Sequence, residues 1–207
     1  MNERSFIFVA KMRIRDTQKE YTVKQNAINI LLRDGFDGFS MQKLAKASGI
    51  SVGTLYIYYK NKEDLIVSLG IEEGMRMTSA TMKGFSPDMP FAEGLKKQWE
   101  NRADYWLKNR DASRFLEKIK RTQYAAAIEE VVTQAFKPVM KAFCQNAIAN
   151  KQLNFISFEA YWSVAFGPLY TLLEFEDKGK SVGNRPYTFS KKTMYQTLEL
   201  VLKALTP

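Results

Sequence analysis

The chain has 207 residues, 45% hydrophobic and 26% charged, with a net charge of +9, no histidine and one cysteine. Without imidazole there is no Ser-His-Asp or Cys-His nucleophile and no histidine metal ligand. Cys144 alone closes no intramolecular disulfide and builds no cysteine zinc site, and the composition otherwise suits an ordinary soluble globular protein with room for one large domain or two small ones.

The first apolar run, Ser5-Phe6-Ile7-Phe8-Val9-Ala10, is shorter than the roughly 7 to 15 residues of a signal-peptide core, and Lys11 follows at once. Nothing approaches the roughly 20 apolar residues of a membrane span. The expected location is therefore the cytoplasm. Residues 1–15 read as a loosely ordered basic arm, in which Met12 offers an alternative start.

From there the pattern is helical almost throughout, because apolar residues recur three and four apart. A first helix opens at Asp16 or Thr17, buries Tyr21, Ala27, Ile28, Leu31 and Leu32, and ends at Gly35. Ser40 caps a short second helix, Met41 to Ser48, closed by Gly49. Ser51 caps a third that runs from Val52 to Tyr58. Two brief helices joined by a turn containing glycine form a helix-turn-helix pattern. Asn61 caps a fourth helix, with Glu63 and Asp64 in its first turn, running toward Gly84.

Ser86-Pro87-Asp88-Met89-Pro90 is the clearest break. Beyond it, helices are expected at about 91–109, 111–121, 124–150, 157–177 and 189–205, each edge good to about 2 to 4 residues. A polar loop spans 177–186. Pro138 and Gly167-Pro168 fall inside helical patterns and are expected to kink them.

Charge placement is more informative than its sum. Residues 1–65 carry 11 basic and 7 acidic side chains and residues 66–207 carry 20 and 15, so the excess is not a tail. The stretch from Ser40 to Lys62, however, holds Lys43, Lys46, Lys60 and Lys62 and no acid, a field suited to phosphate.

The segment Phe36 to Leu65 resembles the DNA-binding head of the tetracycline-repressor (TetR) family. The resemblance is carried by Ser40, Leu44-Ala45, Gly49-Ile50-Ser51, Gly53-Thr54-Leu55-Tyr56 and Tyr59-Lys60-Asn61-Lys62-Glu63. It implies that Val52, Gly53, Thr54, Tyr56 and Tyr58 meet bases or phosphates, with Gln42 reaching a base edge from the preceding helix. The chemistry agrees: small residues at the start of a helix let its backbone approach a major groove, Gln pairs with adenine, and Thr and Val methyls suit the thymine methyl. Lys62, at the start of the fourth helix, is placed to meet a phosphate. Ser40, Lys43 and Lys60 are further phosphate candidates. Leu44, Ala45, Ile50, Leu55 and Tyr59 are assigned to the head's own core.

The expected architecture is all-α, with the arm at 1–15, a helix-turn-helix DNA-binding domain at 16–62, and a helical regulatory, ligand-binding and dimerisation domain at 63–207. In the second part an aromatic cluster beside the expected kinks, Trp99, Trp106, Tyr124, Met140, Phe166 and Tyr170, is a candidate ligand pocket, although aromatic residues at helical spacing are more often core. Two helices carry apolar faces, Phe158, Trp162, Ala165, Leu169 and Leu172 on one and Met194, Leu198, Val201 and Leu205 on the other. The resemblance implies that such helices form a homodimer, which would pair two heads with a pseudo-palindromic operator; the alternative is that the faces pack on their own domain.

These features point to a DNA-binding transcriptional regulator, a repressor released from duplex DNA by a small, mainly apolar effector, with no membrane role. No enzyme activity, metal or cofactor is expected: there is no phosphate loop, and the adjacent pairs Glu72-Glu73 and Glu129-Glu130 point in different directions from a helix and should be solvated. Two alternatives remain open from sequence, a helical small-molecule binding protein with no DNA role and a transcriptional activator of the same fold.

Overall fold

A computed structural model describes the backbone of residues 3–207 and the side chains from Lys19 onward. The described residues form nine α-helices: α1 Glu3–Gly38, α2 Met41–Ser48, α3 Val52–Tyr58, α4 Lys62–Thr81, α5 Phe91–Lys108, α6 Arg110–Ile119, α7 Ala125–Ala149, α8 Phe158–Lys178 and α9 Lys191–Leu205, with a short 3-10 turn at Val182–Asn184. No described helix is long and apolar enough to cross a membrane.

Two differences from the sequence reading concern α1. It is continuous through Asp16 and Thr17, so neither residue caps its start, and the side chains of the expected basic arm lie outside the described residues. Tyr21 faces solvent, whereas Val23, Ala27, Ile28, Ile30 and Leu31 are buried. Gly35 does interrupt the helix, at φ 74 and ψ 174, a conformation that a Cβ would strain.

The chain divides into two compact units. The first comprises residues 1–73 and 111–128, and the second residues 74–110 and 129–207. The stretch 111–128, read from sequence as part of the regulatory region, thus groups with the head. Helix α4 is covalently common to both units, its first twelve residues in the first and the rest in the second.

In the first unit, α2 packs on α1 and on α3. Leu44, Ala45 and Leu55 are buried as expected, together with Phe39, Met41, Leu65, Ile66 and Leu69; Ile50 and Tyr59 are half-buried. Phe36 stacks on Phe115 and Tyr124, with centroids 6.4 and 5.9 Å away. Lys24 joins α1 to α4 by a 2.6 Å ion pair to Glu72 and pairs at 2.6 Å with Glu20 on its own helix. Glu73 is buried rather than solvated, and Glu72 is held by Lys24.

The second unit is built on α5, α8 and α9, with α8 against both others. Its core contains Phe91, Leu95, Trp99, Phe143, Tyr161, Phe166 and Leu173. Here α7 and α8 run unbroken through Pro138 and Pro168, and the backbone shows no non-helical residue at the expected kinks.

Candidate nucleic-acid interface

Each boundary of the α2–α3 pair has a local cause. The Ser40 hydroxyl accepts from the Lys43 amide at 3.2 Å, opening α2. Gly49 closes it in the left-handed region at φ 64, and the Gly49 and Ile50 amides donate to the carbonyls of Lys46 and Ala45. A residue with a Cβ is strained by such a turn, which is why glycine stands there. The Ser51 hydroxyl then accepts from the Thr54 amide at 3.1 Å and lies 2.9 Å from the Thr54 hydroxyl, so α3 restarts two residues after the turn.

Only Leu55 of α3 is buried. Tyr56, Ile57 and Tyr58 are 51, 77 and 71% exposed. Gly53 is exposed too, and a Cβ there would meet nothing closer than the Ser51 hydroxyl at 3.7 Å. Val52 and Thr54 are half-buried. Thr54, Ile57 and Tyr58 stand three and four apart and so share one face, bearing two methyl-rich groups and a phenol. Gln42 and Lys46, four apart on α2, are exposed.

The lysines fare differently. Lys43 is held by the Asp34 carboxylate at 3.1 Å and the Gly38 carbonyl at 2.7 Å, so its charge is spent within the unit. Hydrogen bonds from Arg33 and then Lys43 hold the Asp34 carboxyl down to about 2. Among the described residues, Lys46, Lys60 and Lys62 make no ion pair. Lys60 is tied by its backbone instead: its amide donates to Asp64 at 2.9 Å, while the Asp64 amide donates to Asn61 at 2.8 Å. This reciprocal cap starts α4 and sets Lys62 in its first turn, next to amides with no intrahelical acceptor.

The structure therefore brings Ser40, Gln42, Val52, Gly53, Thr54, Tyr56, Tyr58, Lys60 and Lys62 onto or beside the α2–α3 pair, with Lys43 there but engaged. Ile57, absent from the expected set, is the most exposed apolar side chain of α3. Its signal in the sequence was position alone: it follows Thr54 by three residues on a helix whose single buried residue is Leu55.

The aromatic residues expected to line a ligand pocket are mostly core. Trp99 and Phe166 are fully buried, Met140 and Trp106 nearly so. The Trp99 indole donates to the Ala165 carbonyl at 2.7 Å, and the Tyr170 hydroxyl accepts from Arg102 at 2.8 Å. Tyr124 is committed to Phe36 in the first unit. A cleft of about 740 Å³ opens instead between α7 and the start of α8, and none of those six residues lines it.

The expected dimer residues need the same correction. Ala165, Leu169, Leu172, Met194, Leu198, Val201 and Leu205 are buried in this chain, all but Leu172 within the second unit's own core cluster. They cannot meet a partner without exposing that core. Of the nine, Phe158 is half-exposed, and both it and Trp162 line the cleft.

Short helices joined by a glycine turn, with the second pushed outward on one buried leucine, define a helix-turn-helix protein. Residues 25–69 match the model of the bacterial regulatory proteins, tetR family. An uncharacterized HTH-type transcriptional regulator of Haemophilus influenzae is 32% identical over 72 residues, which are 35% of this chain and 38% of that protein. The chain thus aligns with well under half of that curated relative. A TetR family transcription regulator from Marinobacter aquaeolei has the same fold over 94% of this chain and 98% of its own, at 22% identity and a TM-score of 0.80. A TetR family protein from Vibrio parahaemolyticus does so over 91% and 99%, at 20% identity and 0.75. Residues 25–69 therefore carry the helix-turn-helix head of the tetR family, and the chain has the fold of TetR family regulators.

One consequence of the Lys43 contact is directly measurable. Because the Asp34 pKa lies below its ordinary value of 3.8, the contact is fully present above about pH 4 and is lost as pH falls through about 2. Carboxyl-carbon NMR should show Asp34 titrating near 2, and Lys43→Ala should raise that midpoint. A midpoint near 4 in the unaltered protein would show that Lys43 is not held.

Proposed function

We propose that the protein is a sequence-specific DNA-binding transcriptional regulator that acts as a cytoplasmic homodimer and represses transcription until a small ligand releases it from its operator. The observation that carries this reading is the outward face of α3. Ile57 and Tyr58 are largely exposed and so contribute little to packing the unit. In a major groove about 12 Å wide the same side chains have partners: the Thr54 and Ile57 methyls match thymine methyl groups, and Gln42 on α2 can pair with adenine. Lys62 and the free amides of α4, with Ser40, Tyr56 and Lys60, supply phosphate contacts that fix the docking.

A homodimer supplies the second head that a pseudo-palindromic operator requires. With the inner faces of α8 and α9 already buried, the faces left for a partner carry Ala160, Val164, Gly167 and Thr171 on α8 and Gln196, Leu200 and Ala204 on α9, all exposed and mostly small. Leu200, at 66% exposure, is the largest apolar group among them. Release by ligand requires that the ligand favour one conformation of the protein; a coupling of about 1 to 3 kcal/mol changes DNA affinity roughly 5 to 150-fold. Helix α4, part of both units, is the covalent route for such coupling.

Fluorescence anisotropy with duplex from the gene's own upstream region, at several salt concentrations, tests the central reading. Specific binding should exceed binding to random duplex and weaken steeply as salt rises. Lys62→Ala should weaken binding to all sequences and reduce the salt slope by about 1, whereas Gln42→Ala should cost about 1 to 3 kcal/mol at the preferred site and relax its specificity. Equal affinity for upstream and random DNA would overturn the proposal. Separately, sedimentation should find the unaltered protein dimeric and Leu200→Asp monomeric at micromolar concentration; a variant that stays dimeric would rule out these faces.

A further inference from the structure

The cleft between α7 and α8 has a chemistry of its own. At about 740 Å³ it falls within the range of small-molecule sites, roughly 300 to 1,000 Å³. Phe136, Ile148, Leu153, Ile156, Phe158 and Trp162 make its walls apolar. The Trp162 ring lies 6.0 Å from Phe136 and 5.8 Å from Phe158, so the aromatic groups form one continuous patch. An apolar ligand body is what such a surface accepts.

The charges around it are lopsided. Lys137 and Lys141, one helical turn apart on α7, both border the cleft against a single acid, Glu159. Among the described residues neither lysine makes an ion pair. The Arg102 guanidinium, 6% exposed, stands 5.4 Å from the Trp162 ring and 4.4 Å from Phe166, and it too has no carboxylate within ion-pair reach among the described residues. Two more groups in the wall, Cys144 and Tyr161, are neutral: burial pushes both the thiol and the phenol up. The buried Tyr161 hydroxyl has the Cys144 thiol as its neighbour. A thiol is a weak hydrogen-bond partner, so a ligand oxygen would be a better one for this hydroxyl.

We propose that this cleft binds a single-chain amphiphile with an anionic head group, its hydrocarbon chain along the Phe136, Phe158 and Trp162 wall and its head group at Lys137 and Lys141. The inference rests on the reading that the protein receives a small ligand, and it names the class. An uncharged apolar molecule would gain nothing from the two lysine charges, and a cation would add to the excess of positive charge.

The test uses the full chain without DNA, so that its outcome is independent of whether the protein binds an operator. Dodecanoate and dodecyltrimethylammonium are titrated below their micelle concentrations and dodecanol below its solubility limit, read by calorimetry and by intrinsic tryptophan fluorescence. One dodecanoate should bind per chain, at least tenfold tighter than dodecanol, and the cation should not bind. Decanoate should bind on the order of tenfold more weakly than dodecanoate, from the loss of two methylenes. In a Lys137→Gln/Lys141→Gln variant, whose changes are at exposed positions and leave the core intact, dodecanoate should fall to the affinity of dodecanol while dodecanol is unchanged. The proposal is overturned if none of the probes binds, if dodecanoate and dodecanol bind alike to the unaltered protein, or if the double variant keeps its preference for the carboxylate.

Discussion

The outward face of α3 exists because a seven-residue helix is held by one buried side chain, Leu55, and by the two turns at its start. A helix this short has little stability in water and is formed only where the surrounding structure imposes it. Gly49 in the left-handed region sets the direction in which the chain leaves α2, and the Ser51 hydroxyl supplies the first amide partner of α3. Since this anchoring takes a single side chain, the other positions are released from packing. That release lets Tyr56, Ile57 and Tyr58 stand in solvent on a fixed scaffold.

The second unit follows the opposite rule. Its helices bury one face each, and the inner faces of α8 and α9 are consumed by the core that also takes Trp99 and Phe166. With most large residues of α8 and α9 turned inward, their outer faces carry mainly small residues, Ala160, Val164, Gly167 and Ala204, with Leu200 as the large exception. The cleft between α7 and α8 persists because the Phe136, Phe158 and Trp162 rings pack on one another along its wall rather than filling it.

Much of the fold was legible from spacing and caps. The ends of α2 and the start of α3 rest on Ser40, Gly49 and Ser51, whose roles are local and so readable in a sequence. What required the structure was everything nonlocal. Lys43 sits in an acid-free stretch, yet its partner Asp34 comes from nine residues earlier on another helix. The apolar stripe of α9 reads equally well as core or interface, and only the packing of α8 against it decides. Glu73, placed among solvated acids by its helical direction, is buried. The cleft was missed because its wall combines half-buried residues of α7 with Phe158 and Trp162, which the family resemblance had assigned to a dimer face.

The central claim is that the protein meets DNA through α2, α3 and the start of α4. Amide NMR of the labelled protein, with and without upstream duplex, tests it most directly. The account predicts that the large shifts fall on residues 40–43, 51–58 and 60–63, with Gly53, Thr54 and Ile57 prominent. Shifts concentrated on α7 or α8, with α3 unchanged, would contradict it.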